Sequence, residues 1–248
     1  MGRTVSKFVR YYQDGCDLSA DVETVGELAW EYDHEARACL SWEVKGGLNG
    51  KPMVNIGPVN GVFNSAAAGW HSVVTATGSK TVMIPIGEGA VPAAGCPVFG
   101  GAFSMASYQV PPGDGMVPFT ATFGGGVAGA QAYAQPWGKL IHAKGSETAA
   151  NTGTGVDYGA GSGGWLMYQV FSITGTGTVT ISIDDSTDNS SFGALSGATS
   201  GAIATASAPT AGIVELATAA SVKRYLRWQI AFGGSATGCE FALAYFRR

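Results

Sequence analysis

The chain has 248 residues, a formal net charge of −4, 46% hydrophobic residues and only 13% charged residues. This composition excludes global disorder, and the negative charge excludes a protein that binds nucleic acid by neutralising its phosphates. Catalysis requires titratable groups clustered in a cleft. The chain has only three histidines and four scattered cysteines, which are Cys16, Cys39, Cys96 and Cys239. This pattern favours a structural or binding protein with no enzymatic activity, no cofactor and no metal.

Short β-type segments follow one another through the first 144 residues. Between positions 22 and 33, apolar and acidic residues alternate, which predicts one long strand with a buried face and an acidic face. Further strands are predicted at 52–63, 80–86, 102–110, 116–123 and 137–144, the last with Leu140 and His142 on one face. A short helix is predicted near 64–75 or 34–44.

Charge is distributed unevenly along these segments. Eight acidic residues lie between positions 14 and 35 with no lysine or arginine among them. A carboxylate-lined conduit lets DNA slide because it repels phosphates, and the candidate residues are Asp21, Glu23, Glu27, Glu31 and Asp33. Alternatively, this block pairs with basic chain ends of another subunit, for which the candidates are Arg3, Lys7, Arg10, Arg247 and Arg248. A solvated strand face is the third interpretation.

The composition changes after position 144. Residues 145–164 are mostly glycine, alanine, serine and threonine, which predicts a linker or loop. Beyond it, strands predicted at 165–173, 178–184, 212–217, 224–232 and 239–246 have the spacing of a β-sandwich. The predicted fold is all-β, with a β-sandwich or barrel domain over 1–144, the linker, a β-sandwich module over 165–248 that is either independent or integrated with the first domain, and short helices at most.

Four short motifs occur in order within the first 63 residues: DLSADVETV at 17–25, WEYD at 30–33, GLNGKP at 47–52 and GVF at 61–63. Together they resemble the N-terminal pattern of the tail tube (major tail) proteins of long-tailed bacteriophages. Ala20 and Asn49 replace the glycine and proline usual there, and these departures concern loop geometry. The C-terminal part, with Ser186-x-Asp188-Asn189-Ser190, Leu195 and RYLR at 224–227, resembles the β-sandwich that ends many phage virion subunits.

The resemblance implies a non-enzymatic subunit of hexameric rings, stacked into a hollow tube through which DNA passes without specific binding. It implies further copies of the chain and other phage tail proteins as partners, and a place in the virion after assembly in the host cytoplasm. No apolar run approaches the ~18 residues of a membrane span. The alternatives are a capsid decoration or other virion surface protein, and a carbohydrate-binding β-sandwich that stacks sugars on Trp165 or Trp228.

Overall fold

The computed structural model describes residues 8–37, 46–112, 115–125 and 136–248, with side chains except at 32–37 and 46–53. The first half contains α1 (Trp70–Thr75) and the strands β1 (Tyr12–Gln13), β2 (Cys16–Asp17), β3 (Val22–Val25), β4 (Leu28–Arg37), β5 (Gly46–Val62), β6 (Lys80–Pro85), β7 (Pro97–Gln109), β8 (Pro118–Gly125) and β9 (Trp137–Glu147). The second half contains β10 (Asn151–Thr152), β11 (Val156–Asp157), β12 (Gly161–Ser186), β13 (Gly193–Ala204), β14 (Thr210–Val222) and β15 (Tyr225–Phe246). The predicted all-β class is confirmed.

The described strands form one continuous antiparallel system. β5 pairs with β3 and β4 on one side and with β8 on the other, and β8 pairs with β7. β9 joins the two halves because it pairs with both β7 and β15. β15 runs beside β12 along nearly its whole length, and β13 and β14 both pair with the other edge of β12. The order branches at β7, which also pairs with β6, and β6 leads through β1 to β2. Among the described strands, β3 and β4 therefore end one branch, β2 ends a second, and β13 and β14 lie at the opposite end.

The first core lies between the first-half sheet and α1. The alternation in β8 places Phe119, Ala121 and Phe123 inward, as the sequence predicts. The fully buried Trp70 of α1 stacks on Phe119, with ring centroids 4.2 Å apart. Because a six-residue helix is not stable by itself, this aromatic packing holds α1 against the sheet.

The second core lies between the layers built from β12 and β15. Leu226, Trp228 and Ile230 alternate inward on β15, as their spacing predicts, and pack with Ile181 and Phe241. The sequence predicts two separate strands in each of these segments, whereas the structure has one long strand in each. Between the two predicted segments of β12 the register against β15 shifts at Thr174 and Gly175. Nearby, Gly177 has a φ of +144°, and an added Cβ there would lie 2.1 Å from the carbonyl oxygen of Gly233, so the position requires glycine.

A third core joins the halves. Trp165 of β12 stacks on Phe246 of β15, with centroids 3.7 Å apart, and this pair packs with Met83 and Val98 of the first half. Beside it, the buried Gln169 accepts a hydrogen bond from the Gly15 amide (2.7 Å) and donates one to the Thr81 carbonyl (2.9 Å). The two halves therefore share apolar packing and polar contacts.

Residues 145–164, predicted as a linker, contain two short strands that extend the second-half sheet. Asn151 and Thr152 of β10 pair with Ile230 and Gln229, and Val156 of β11 pairs with Leu226. Glycine, serine and threonine lower the local hydrophobic signal here, so pairing with β15, which is distant in sequence, decides the conformation.

The strand predicted over 22–33 is interrupted at Gly26 and Glu27. The Gly26 amide donates to the Pro58 carbonyl at 2.9 Å, and the Gly57 amide donates to the Glu27 carbonyl at 2.6 Å. Pro58 has no amide hydrogen with which to continue the ladder, so the register shifts at this point. A separate register shift against β5 lies between Val22 and Thr24 and changes the side-chain phase within β3. Val22, Val25 and Leu28 therefore pack on the first core, and Thr24, predicted for the buried face, is exposed.

Candidate functional site

The acidic segment contains one carboxylate with a structural role. Asp21 accepts hydrogen bonds from the Asn64 side-chain amide (3.0 Å) and from the Trp70 backbone amide (2.9 Å). It therefore fixes the loop before α1 and the start of this helix, where free backbone amides need acceptors. Sequence reasoning grouped Asp21 with the other carboxylates because its partners lie more than 40 residues away.

Glu23, Glu27 and Glu31 differ from Asp21 because all three are exposed. In the part of the chain that the structure describes, none of them lies within ion-pair distance of a cation. Asp33 belongs to β4, and its side chain lies outside the described set. β3 and β4 have β5 as a partner on one side only among the described strands, so these carboxylates lie along a sheet edge.

A row of hydroxyl and amide groups crosses the outer side of the same sheet, and we call it the polar face. The Asn60 side chain on β5 donates to Thr24 Oγ1 on β3 (3.2 Å) and accepts from Thr120 Oγ1 on β8 (2.8 Å). The hydroxyl oxygens of Ser107 on β7 and Thr122 on β8 lie 2.6 Å apart and form a hydrogen bond. The polar face therefore spans four strands.

Strand alternation adds Glu31 and Asn55 to the polar face. Leu28 and Ile56 are cross-strand partners that face the first core, and Ala29 pairs with Asn55 one position further along. Since successive side chains point to opposite faces, Ala29, Glu31 and Asn55 point outward. The polar-face side chains that the structure describes are neutral or acidic, with no lysine or arginine among them.

The basic candidates have contacts within the chain. Arg247 donates from Nη1 to the Ala160 carbonyl at 2.9 Å and from Nη2 to the Gly159 carbonyl, and it lies over the Tyr158 ring. Arg248 donates to Thr218 Oγ1 at 2.7 Å and lies 3.5 Å from Glu215. Arg10 donates to the Val9 carbonyl. Arg3 and Lys7 lie outside the described residues.

Carboxylates of the second half have cationic partners. Asp184 accepts two hydrogen bonds from Arg227, and Asp185 lies 2.8 Å from Lys223 Nζ. Asp157 binds Arg224 through both carboxylate oxygens, and these hydrogen bonds lower the pKa of Asp157 to about 2. Asp188 caps the turn between β12 and β13 by accepting from the Ser190 and Ser191 amides.

The predicted sugar platforms are wrong. Trp165 is 3% exposed and Trp228 is 8% exposed, so neither ring face is available to a ligand. Trp165 is covered because it stacks on Phe246, and Trp228 because it packs on His142 and Phe241. By contrast, Trp137 is 37% exposed.

His142 occupies a buried aromatic site. Its ring stacks on Phe241, with centroids 4.1 Å apart, and its Nδ1 lies 3.2 Å from the Phe241 carbonyl oxygen. Burial lowers the pKa of His142 below its usual value, although Glu147, 3.5 Å from Nε2, acts in the opposite direction. In the described ranges no group of three or more histidine, cysteine, aspartate or glutamate residues is placed to hold a metal ion, and no helix there is long and apolar enough to cross a membrane.

Comparison with solved structures gives a weak structural likeness to a phage protein. No family model and no curated protein matches the sequence. Among solved structures, the chain is similar to the Dit (gp 19.1) protein of phage SPP1, described as a paradigm of the hub adsorption apparatus in phages that infect Gram-positive bacteria. The likeness covers 96% of this chain and 98% of the Dit chain at 10% identity, with a TM-score of 0.34. At this TM-score it does not establish a common fold.

Proposed function

We propose that this protein is a non-enzymatic structural subunit of a phage tail, which assembles into stacked rings and forms a hollow tube for DNA. The observation that carries the proposal is the polar face of β3, β4, β5, β8 and β7, bordered by the exposed Glu23, Glu27 and Glu31. The motifs at 17–25, 30–33, 47–52 and 61–63, which resemble those of tail tube proteins, support the same function.

The polar face has the chemistry of a wall along which DNA slides. Binding of DNA depends mainly on cations that neutralise phosphates and release counterions. A surface of hydroxyls, amides and carboxylates provides hydration without such cations, and its negative charge repels the phosphates. In this proposal the polar face lines the lumen, and Glu31 is the carboxylate that alternation places on it.

The strand order provides a means of assembly. β3 and β4 end one branch of the strand order, and β13 and β14 lie at the opposite end. Each of these four strands has a partner on one side only among the described strands. Exposed strand edges pair with other chains, and contacts between two different edges are head-to-tail. Such contacts produce a ring when the rotation closes, and the resemblance implies six copies.

The test is negative-stain electron microscopy of the purified protein over a concentration series, together with a DNA-binding titration at low salt. We expect rings or hollow tubes at high concentration and no measurable affinity for duplex DNA. Dispersed monomers or trimers at every concentration would contradict the tube and favour a capsid decoration protein. Tight, salt-sensitive DNA binding by the assembled form would contradict the lumen assigned to the polar face.

A further inference from the structure

An open cleft of about 260 Å³ lies where the two halves meet, and it shares no residue with the polar face. Its lining consists of Pro97, Trp137, Gly138 and Lys139 from the first half, and Tyr158 and Arg247 from the second. The mixture of aromatic rings with a few polar groups is typical of small-ligand sites.

The aromatic walls of the cleft are held in place by their neighbours. Trp137 is 37% exposed but packs edge-on against the buried Phe99, with centroids 5.1 Å apart. The Tyr158 hydroxyl donates to the Tyr245 carbonyl and accepts from the Lys139 amide. A ligand would therefore meet a largely preorganised surface, which reduces the ordering cost of binding.

Two cations converge on the same place. Lys139 Nζ lies 5.3 Å from the centre of the Tyr158 ring, and the Arg247 guanidinium carbon lies 5.5 Å from it. The nearby Asp157 carboxylate is bound by Arg224, and in the described structure no carboxylate lies within salt-bridge distance of Lys139 or Arg247. Arg247 Nε is also buried without a hydrogen-bond acceptor among the described residues. Lys139 Nζ donates to the Asp157 backbone carbonyl (2.9 Å), and the single Asp157 carboxylate is outnumbered by Lys139, Arg224 and Arg247, so the cleft has a net positive charge.

We propose that this cleft binds an acidic saccharide, with the apolar side of one sugar ring on Trp137 and a carboxylate near Lys139 and Arg247. The C–H bonds of a pyranose ring carry partial positive charge, which the negative face of an indole attracts. A single exposed indole and two cations form a compact site, whereas single-stranded nucleic acid uses an extended groove with several stacking rings. The inference does not depend on tube assembly.

The test is calorimetric titration of the full chain with trigalacturonate and with its fully methyl-esterified form, which keeps the rings and removes the charge. We expect binding of the acid at low salt, and a loss of at least about tenfold with the ester, which corresponds to about 1.4 kcal/mol. Trp137→Ala and Lys139→Gln are each expected to weaken binding of the acid by a similar factor. The control Lys223→Gln removes a cation that pairs with Asp185 elsewhere and is expected to leave affinity unchanged.

Each alternative result overturns the proposal in a recognisable way. If trigalacturonate does not bind, the ligand is not an acidic saccharide. If the acid and the ester bind equally, Lys139 and Arg247 do not recognise a carboxylate. Unchanged affinity in Trp137→Ala places the ligand elsewhere on the molecule.

If an oligothymidylate competes more strongly than the saccharide, the cleft is a nucleic-acid site. If Lys139→Gln abolishes self-association while no saccharide binds, the cleft receives the acidic edge of another copy. Electron microscopy of Trp137→Ala, in which we expect normal rings, separates this test from that of the tube.

Discussion

In the second half of the molecule, Asp184, Asp185 and Glu215 each lie within 3.5 Å of a cationic group of the same chain. In the first half, Glu23 and Glu27 are exposed and have no such partner among the described residues. The first half also has an internal ion pair, between Asp17 and Lys144 (2.9 Å), but its Glu23 and Glu27 lie along a strand edge without one in the described structure. Exposed carboxylates contribute little to the stability of a monomer, so we infer that this edge acts in contacts outside the chain.

The largest expected effect comes from the core that the two halves share. Trp165→Ala removes the ring that stacks on Phe246 and is expected to lower the free energy of unfolding by about 3–5 kcal/mol. Because Met83 and Val98 pack in the same cluster, we expect a single transition that shifts as a whole in guanidinium unfolding followed by circular dichroism. Two separate transitions, only one of them shifted, would show that the halves unfold independently. Met116→Ala, a truncation at a residue that is 74% exposed, is the control.

A smaller effect is expected from the internal ion pairs of the second half. Asp184 is 7% exposed and binds Arg227. Asp184→Asn leaves Arg227 partly buried without its counter-charge, which we expect to cost about 2 kcal/mol in the free energy of unfolding. Glu27→Gln, the equivalent change on the acidic edge, is expected to leave the thermal midpoint unchanged. If Asp184→Asn and Glu27→Gln lowered stability equally, the internal ion pairs of the second half would not differ in their effect from the unpaired carboxylates of the acidic edge.

The pH dependence of stability gives a smaller effect. Burial lowers the pKa of His142 in the folded chain below the unfolded value of about 6.5. The unfolded chain therefore takes up the proton first, and this contribution to stability is present above pH 6.5 and is lost as the pH falls through the folded pKa. Urea unfolding between pH 5 and 8 is expected to show this loss in the wild type, and His142→Phe should remove that component. A loss of the same size in the variant would assign it to other groups, including Glu147.

Local patterns predict the elements whose packing depends on side-chain alternation. Phe119, Ala121 and Phe123 on β8, and Leu226, Trp228 and Ile230 on β15, are buried as predicted because one face of each strand meets a core. The edge strand β13 was not predicted, since only Leu195, Ala198 and Ile203 are buried along its length. Its pairing with β12 is a tertiary effect that has little local signal.

Irregular backbone explains most of the other differences between the predicted and the observed side-chain positions. Leu140 and His142, predicted on one face, lie in different cores because the register against β15 shifts at Ile141. A bulge adds one residue and reverses the side-chain phase beyond it. For the candidate site, the acidic strand could be recognised from its charge, whereas the capping role of Asp21 depends on Asn64 and Trp70, which are distant in sequence.

The most direct test of the account reverses the charge of the acidic edge. Glu27→Lys/Glu31→Lys is compared with Glu88→Lys, a charge reversal at an exposed carboxylate outside both proposed assembly edges. The measurement is negative-stain electron microscopy of both variants and the wild type at matched concentration, with circular dichroism as the check on folding. We predict rings or tubes for the wild type and the control, and a folded acidic-edge variant that either fails to assemble or forms tubes that retain DNA. Normal tubes from the acidic-edge variant, with no affinity for DNA, would contradict the account.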